Sequence, residues 1–250
     1  MEALRLVGIL VFLLTSFAVG VRLLALAART RQVPELLLGL TLFASGALGG
    51  IFYFVGTSYA EQLGVAGPWV RGGGRLFLSA GSLALWAFTW QVFRPDRRWA
   101  ALLVGVAGSA IAVGFVGEGL VSGFSGGNFD TLWAWIGFLA RGLAYLWASI
   151  ESRRYFLLLR RRLRIGLGDP LVVNRFKLWG ISVSAALGIY GVALANLVGD
   201  TVPDLAGGVF EPTWALLTSA LGLVSGVCVW LAFLPPDRYR RWIASHSTST

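Results

Sequence analysis

Histidine and cysteine each occur only once in this 250-residue chain, as His246 and Cys228. His246 lies in a polar Ser/Thr-rich tail, so the apolar segments offer no histidine ligands for a haem, zinc or di-iron centre. A single cysteine cannot form an internal disulfide, and Cys228 is most simply a packed or lipid-facing thiol. We therefore expect no metal, no other cofactor and no disulfide within the chain.

Lysine is equally scarce, and motifs for catalysis are sparse. The one lysine, Lys177, lies at the start of the sixth apolar segment, whereas a retinal Schiff base needs a buried lysine in the last helix, which disfavours a light-driven pump. The glycine run at 72–74 lacks the Lys-Ser/Thr pair of a phosphate-binding loop. One buried carboxylate among arginines is a poor acid–base set, so a lipid-modifying enzyme ranks last among the alternatives. We predict that the protein is not an enzyme.

Charge is low and apolar sequence is abundant. Hydrophobic residues make up 56% of the chain and charged residues 13%, where soluble domains carry about a quarter charged residues. The mean hydropathy is +0.73, and a bilayer core needs about 20 mostly apolar residues per helix. The chain contains seven such stretches, at 4–28, 34–56, 69–93, 99–121, 131–155, 172–198 and 213–235. The sequence predicts an all-α membrane protein, with one seven-transmembrane-helix bundle over residues 1–236 and a short cytoplasmic tail at 237–250.

Basic residues fall mainly in alternate gaps between these stretches. Those gaps hold Arg29, Arg31, Arg94, Arg97, Arg98, the run from Arg153 to Arg164, Arg175, Lys177, Arg238, Arg240 and Arg241. Because cytoplasmic loops are enriched in basic residues, the N-terminus is predicted outside and the C-terminus in the cytoplasm. The same rule, together with attraction to anionic lipid, accounts for the net charge of +9 without nucleic acid. Twenty arginines against one lysine favour a bacterial source, and hence the inner membrane.

Thirty-three glycines are many for a helical protein. Helices in lipid gain little from the hydrophobic effect and associate by close backbone approach at small residues. The stripes at 45–50, 105–114 and 180–185 are of this kind. We expect them to lie in helix–helix contacts.

Ionisable residues inside the apolar segments are the main candidates for a ligand site, because charge is costly within a bilayer. Arg141 lies about 15 Å from the start of the fifth helix, near the bilayer midplane. Glu118 lies in the outer third, where it can pair with Arg75 or with Arg141, leaving an arginine for an anionic ligand. The predicted ligand-binding residues are Arg141, Arg75, Glu118, Arg71, Tyr145, Tyr190 and Asn196. The alternative is that the charged pairs only fix the helix register.

Two further features lie towards the cytoplasmic side. Arg22 and Glu151, both in the inner third, can pair by the same reasoning or extend towards the surface. No helix breaker follows residue 155 before Gly166, so the fifth helix is predicted to continue as a basic extension. Its arginines, predicted to meet anionic lipid or a cytoplasmic protein partner, are Arg160, Arg161, Arg162 and Arg164.

Three short segments carry distinctive motifs. Residues 92–95 read Val-Phe-Arg-Pro, and residues 231–236 read Leu-Ala-Phe-Leu-Pro-Pro. The segment 166–179 begins with Gly-Leu-Gly-Asp-Pro, continues with Asn-Arg-Phe at 174–176 and ends with Trp179. In these the chain resembles a family of bacterial seven-helix integral membrane proteins that has no assigned activity. More loosely, the whole chain resembles the heptahelical input modules of bacterial sensor kinases. No kinase or cyclase domain follows within the 250 residues, so that resemblance implies an output through a separate protein.

Three functions fit these observations. The first is a stand-alone sensor or receptor-like membrane protein with an anionic-ligand site in the outer half of the bundle. The second is a small solute or ion transporter with the same charges at a midplane site, which would need polar residues from one face to the other. The third is a structural or assembly subunit of a membrane complex. Polar residues lie chiefly in the outer half, which favours the receptor over the transporter.

Overall fold

The computed structural model describes residues 2–125, 131–201 and 211–246, and every regular element in these ranges is helical. The elements are α1 (Glu2–Thr30), α2 (Val33–Leu40), a π-helical segment (Thr41–Gly49), α3 (Gly50–Ser58), α4 (Ala60–Leu63), a 3₁₀ turn (Gly64–Ala66), α5 (Gly67–Phe93), α6 (Arg98–Ser122), α7 (Leu132–Arg164), α8 (Pro170–Thr201), α9 (Glu211–Phe233) and α10 (Asp237–His246). The predicted all-helical fold is confirmed. Part of the predicted tail, at 247–250, lies outside the described residues, and α10 occupies its beginning.

Six helical spans in the described ranges are long and apolar enough to cross a membrane. They are Val7–Thr30, Val33–Thr57, Ala60–Phe93, Arg98–Ser122, Pro170–Leu197 and Thr213–Phe233. The protein therefore has the helices of an integral membrane protein. The predicted fifth span lies in α7, which is not among the six and which carries Arg141, Glu151 and a basic end. The count of seven spans stays a prediction.

Local sequence accounts for several helix ends. Pro34, Pro68 and Pro170 lie in the first turns of α2, α5 and α8, where a missing N–H breaks no intrahelical hydrogen bond. The hydroxyl of Thr131 accepts a hydrogen bond of 3.2 Å from the amide of Ala134 and so caps the start of α7. The predicted extension of that helix is observed, since α7 continues to Arg164.

Six helical rods enclose a central space. In order around the ring they are α1, α9, α8, α7, α5 and the continuous rod 33–58 formed by α2, the π segment and α3, which packs back on α1. Helix α6 lies outside the ring and packs on α5 and α7. We call the end of the bundle at which α1, α5 and α7 begin the upper end, and the opposite end the lower end.

The lower half of the ring is filled by large apolar side chains, which we call the aromatic core. Trp86, fully inside it, donates a hydrogen bond of 3.0 Å from its indole N–H to the carbonyl of Ala140, and its ring lies 5.2 Å from that of Trp147. The main members of the core, contributed by the rod 33–58, α5, α7 and α8, are Leu38, Leu42, Leu85, Trp86, Phe88, Trp147, Trp179 and Val183. These rings pack closely against one another and form a mainly apolar layer in the lower half of the bundle.

We expect Trp86→Phe to lower the free energy of unfolding by about 2 kcal/mol, because it removes both a buried hydrogen bond and part of a close-packed side chain. The measurement is an SDS titration in dodecyl maltoside micelles, followed by far-UV circular dichroism. Trp69, 81% exposed at the start of α5, offers the matched control, and Trp69→Phe should change stability by less than about 0.5 kcal/mol. Equal effects from the two variants would contradict the assignment of Trp86 to a tightly packed core.

Candidate ligand-binding site

A cavity of about 370 Å³ lies in the upper half of the ring, directly above the aromatic core. Helices α1, α5, α7, α8 and the rod 33–58 all contribute to its wall. Five of the seven residues predicted from the sequence line it: Arg75, Arg141, Tyr145, Tyr190 and Asn196. The wall is otherwise mainly apolar. A volume of this size fits a small organic molecule rather than a single ion.

Arg141 is the central charge of this cavity. Its residue surface is only 5% exposed, and its guanidinium donates a hydrogen bond of 3.3 Å to the hydroxyl of Ser79. Tyr190 lines the same cavity. Among the described residues Arg141 forms no ion pair with a carboxylate. The observed partner of its positive charge is therefore a neutral hydroxyl group, which leaves room for an anion.

Glu118 forms an ion pair with Arg75, and both residues are buried, at 5% and 6% exposure. The pair joins α6 to α5, so the carboxylate reaches Arg75 from outside the ring. Sequence alone left open whether Glu118 pairs with Arg75 or with Arg141, and the structure selects Arg75. Glu118 was predicted to lie in the ligand site, but it does not line the cavity because α6 packs behind α5 and α7.

Arg71 was also predicted to bind the ligand, and the structure places it elsewhere. Its side chain donates hydrogen bonds of 2.9 Å to the carbonyl of Phe124 and 3.2 Å to that of Ser125. One turn of α5 separates Arg71 from Arg75, and this turn carries it above the cavity to the end of α6. Arg71 thus fixes the chain segment that follows α6 and does not line the cavity.

Aromatic rings form one wall of the cavity. The hydroxyl of Tyr145 lies 3.0 Å from that of Ser45 in the π segment, and the Tyr145 ring lies 5.1 Å from the ring of Tyr190. Phe138 continues the wall, 5.5 Å from Tyr190. Ser45 reaches Tyr145 from a π-helical turn, a geometry that is often found where a helix presents side chains to a functional site.

Several lining or supporting residues were missed by the sequence prediction, among them Ser45, Tyr53, Ser79 and Phe138. A signal existed for Ser79, which follows Arg75 by four residues and therefore lies on the same face of α5. Tyr53 lies at the upper end of its rod, at the depth where an outer cavity was expected. No sequence signal distinguished Ser45 or Phe138 from ordinary packing residues.

Of the two possibilities left open for Arg22 and Glu151, the pairing of these two residues is not observed. Glu151, buried on α7, pairs instead with Arg94 at 3.0 Å and with Arg154 at 3.3 Å. Arg94 lies at the end of α5, the neighbour of α7 in the ring, whereas α1 lies across the bundle. The basic extension of α7 is exposed, with Arg160, Arg161, Arg162 and Arg164 on its surface, and its role as a partner or lipid surface stays a prediction.

Residues 123–127 have the spacing Gly-x-Ser-x-Gly, which is typical of the nucleophile of serine hydrolases. That motif works at a sharp turn between a strand and a helix, but here it follows the end of α6 at Gly123. The Ser125 hydroxyl donates a hydrogen bond to the carbonyl of Ser122. The one histidine of the chain ends α10, far along the sequence at the lower end of the bundle. In the described residues, the start of this motif is therefore not placed between a strand and a helix.

No protein-family model, no curated protein and no solved structure matches this chain. The resemblance of its three sequence segments to bacterial seven-helix proteins therefore stays an expectation. The function has to be argued from the cavity and its charges.

Proposed function

We propose that the protein is a receptor-like seven-helix membrane protein whose upper cavity binds a small organic anion. The observation that supports this proposal most directly concerns Arg141. Its guanidinium is buried, lines the cavity and has no carboxylate partner among the described residues. Burying an unpaired charge is costly. A ligand carboxylate, sulfonate or phosphate in the cavity would offset that cost through charge-assisted hydrogen bonds.

Helix α7 is the proposed seventh span. It packs against α5, α6 and α8, so its charged residues Arg141 and Glu151, at 5% and 4% exposure, meet protein rather than lipid. A helix whose charged residues are covered by protein can cross the membrane with less apolar sequence than one whose charged residues face lipid. The distribution of basic residues supports an upper end outside the cell and a lower end in the cytoplasm, in the inner membrane of a bacterium.

The cavity wall limits the class of ligand. Arg75 is already neutralised by Glu118, so the cavity offers one uncompensated positive charge. Phe138, Tyr145 and Tyr190 present ring faces and edges to the remaining space. A monoanion with an aromatic or aliphatic body satisfies both features: its charge meets Arg141 and its apolar part packs on the rings.

The aromatic core favours a receptor over a transporter. Trp86, Trp147 and Trp179 belong to a mainly apolar core packed below the cavity. A bound anion would have to cross this packed layer to reach the cytoplasm. We therefore expect binding to bias the helix packing that a cytoplasmic partner senses, without flux of the ligand.

The test is a thermal-shift comparison of 3-phenylpropionate with its neutral amide, 3-phenylpropionamide, on purified protein in mild detergent. We expect the acid and not the amide to stabilise the wild type, and Arg141→Gln to weaken acid binding by at least about tenfold, the loss of one charge-assisted contact. Arg71→Gln is the matched control, because it removes a nearby arginine that does not line the cavity, and it should keep the shift.

Equal shifts in wild type and Arg141→Gln would contradict the proposed site. Proteoliposomes loaded with buffer and given radiolabelled 3-phenylpropionate separate the two functions. We expect no uptake above that of empty liposomes. Uptake that Arg141→Gln abolishes would replace the receptor with a transporter that uses the same cavity.

A further inference from the structure

A second basic cleft lies at the lower end of the bundle, where α1, α8, α9 and α10 meet. It encloses about 260 Å³, and three arginines from three different helices converge on it: Arg22, Arg175 and Arg240. It shares no residue with the upper cavity. The sequence prediction placed lipid contacts on the extension of α7, which does not contribute to this cleft.

The charges of this cleft are largely unneutralised. Among the described residues Arg22 and Arg175 form no ion pair, and Arg240 has only a long contact of 3.6 Å to Asp237. Arg22 lies in the apolar span of α1, about 12 Å before the helix ends at Thr30. An arginine at this depth is stabilised by a counter-anion or by reaching the headgroup layer.

The walls of the cleft are held in place. The side-chain amide of Asn174 donates a hydrogen bond of 3.1 Å to the hydroxyl of Tyr239, which ties α8 to α10. Ile243 is buried and anchors the apolar face of α10, while the Tyr239 and Trp242 rings stack at 6.0 Å. Helix α10 therefore lies against the lower end of the bundle, where a headgroup layer would be, and brings Arg240 to the cleft.

An apolar cleft of about 300 Å³ adjoins the basic one, and Arg175 lines both. Its walls come from α1, α2, α5, α8 and α9, with Leu26, Phe88, Val92, Trp179 and Phe233 among them. The one acidic residue in its lining, Glu35, accepts a hydrogen bond from the hydroxyl of Thr30. The Arg175 guanidinium therefore lies at the boundary between the basic cleft and the apolar cleft.

We propose that these two clefts together bind one anionic phospholipid from the leaflet at the lower end of the bundle. Its phosphate meets Arg22, Arg175 and Arg240, whose planar guanidinium groups match phosphate oxygens in pairs. One acyl chain enters the apolar cleft beside Trp179. A free phosphate ester would satisfy the arginines but would leave the apolar cleft empty, and for this reason the amphipathic ligand fits better.

Native mass spectrometry of delipidated protein, titrated with dioleoyl phosphatidylglycerol or dioleoyl phosphatidylcholine, tests this proposal. We expect one phosphatidylglycerol to bind in preference to phosphatidylcholine. The double variant Arg22→Gln/Arg175→Gln should weaken that binding by at least about tenfold, the loss of charge-assisted contacts at two sites. The double variant Lys177→Gln/Arg238→Gln is the matched control: it removes the same net charge from residues at the same end that do not line the clefts, and it should bind like the wild type.

Equal losses in the two double variants would overturn the proposal, because they would indicate attraction by net charge alone. Leu26→Trp tests the acyl chain independently, since it fills the apolar cleft and leaves all arginines in place; it should displace phosphatidylglycerol. In a third experiment, inorganic phosphate at millimolar concentration competes with the bound lipid. Displacement of the lipid by phosphate, together with normal binding in Leu26→Trp, would overturn the phospholipid and assign the cleft to a free phosphate. Far-UV circular dichroism of each variant ensures that folded proteins are compared.

Discussion

Replacing Glu118 with glutamine is expected to lower the free energy of unfolding by about 3–5 kcal/mol, because it leaves the buried Arg75 guanidinium without its counter-charge. Both residues are almost fully buried between α5 and α6. The substitution preserves the shape of the side chain, so the effect reports charge rather than packing. An SDS titration in dodecyl maltoside micelles, followed by far-UV circular dichroism, measures it.

Two further variants make this result specific. Arg75→Met/Glu118→Met removes both charges and should recover most of the lost stability, because an apolar pair of similar volume avoids the desolvation penalty. Glu61→Gln removes an exposed carboxylate in α4 and should change stability by less than about 0.5 kcal/mol. A loss below about 1 kcal/mol in Glu118→Gln would show that the pair is not the main electrostatic link between α5 and α6.

Gly114→Ala is expected to destabilise the protein by about 3 kcal/mol, because an added methyl group has no space between α6 and α7. A Cβ at this position would lie 2.7 Å from the amide nitrogen of Gly137 and 2.9 Å from the carbonyl oxygen of Trp133. These are backbone atoms, so relief requires the two helices to separate. The same titration measures the effect.

Gly105 on the same helix provides the control. A Cβ there would meet no atom within 4 Å, so Gly105→Ala should be neutral or should stabilise α6 by about 0.5–1 kcal/mol through the lower backbone entropy of alanine. The contrast separates helix propensity from helix packing. Similar effects of the two variants would contradict the close approach of α6 and α7 at Gly114.

Hydropathy and charge were sufficient to predict the helical segments and the depth of Arg141 along its helix. The position of Arg141, about ten residues inside an apolar helix, fixes its depth whatever its neighbours are. Tyr145 follows it by one turn and so lies on the same face. Depth along a helix and the residues that share one face depend on that helix alone, and for this reason they can be predicted from a single sequence.

Relations between helices were harder to predict. Whether Glu118 meets Arg75 or Arg141 depends on the rotation and order of three helices, and hydropathy contains neither. The same limit explains why the sequence left open a pairing of Arg22 with Glu151, two residues at equal depth that lie on opposite sides of the ring. The two glycines at 105 and 114 belong to one predicted packing stripe, yet only Gly114 faces another backbone closely. Small residues indicate that helices can approach, but not which residue is at the crossing point.

The position of α6 outside the ring has a consequence for the valence of the ligand. The cavity contains two guanidinium groups, but the single carboxylate that balances one of them comes from a helix that forms no part of its wall. A small displacement of α6 would therefore leave both guanidinium groups uncompensated, and under the proposed function the cavity would then favour dianions over monoanions. Under the proposed function, selectivity for ligand charge would be controlled by α6, a helix outside the ring that a neighbouring protein or lipid can touch.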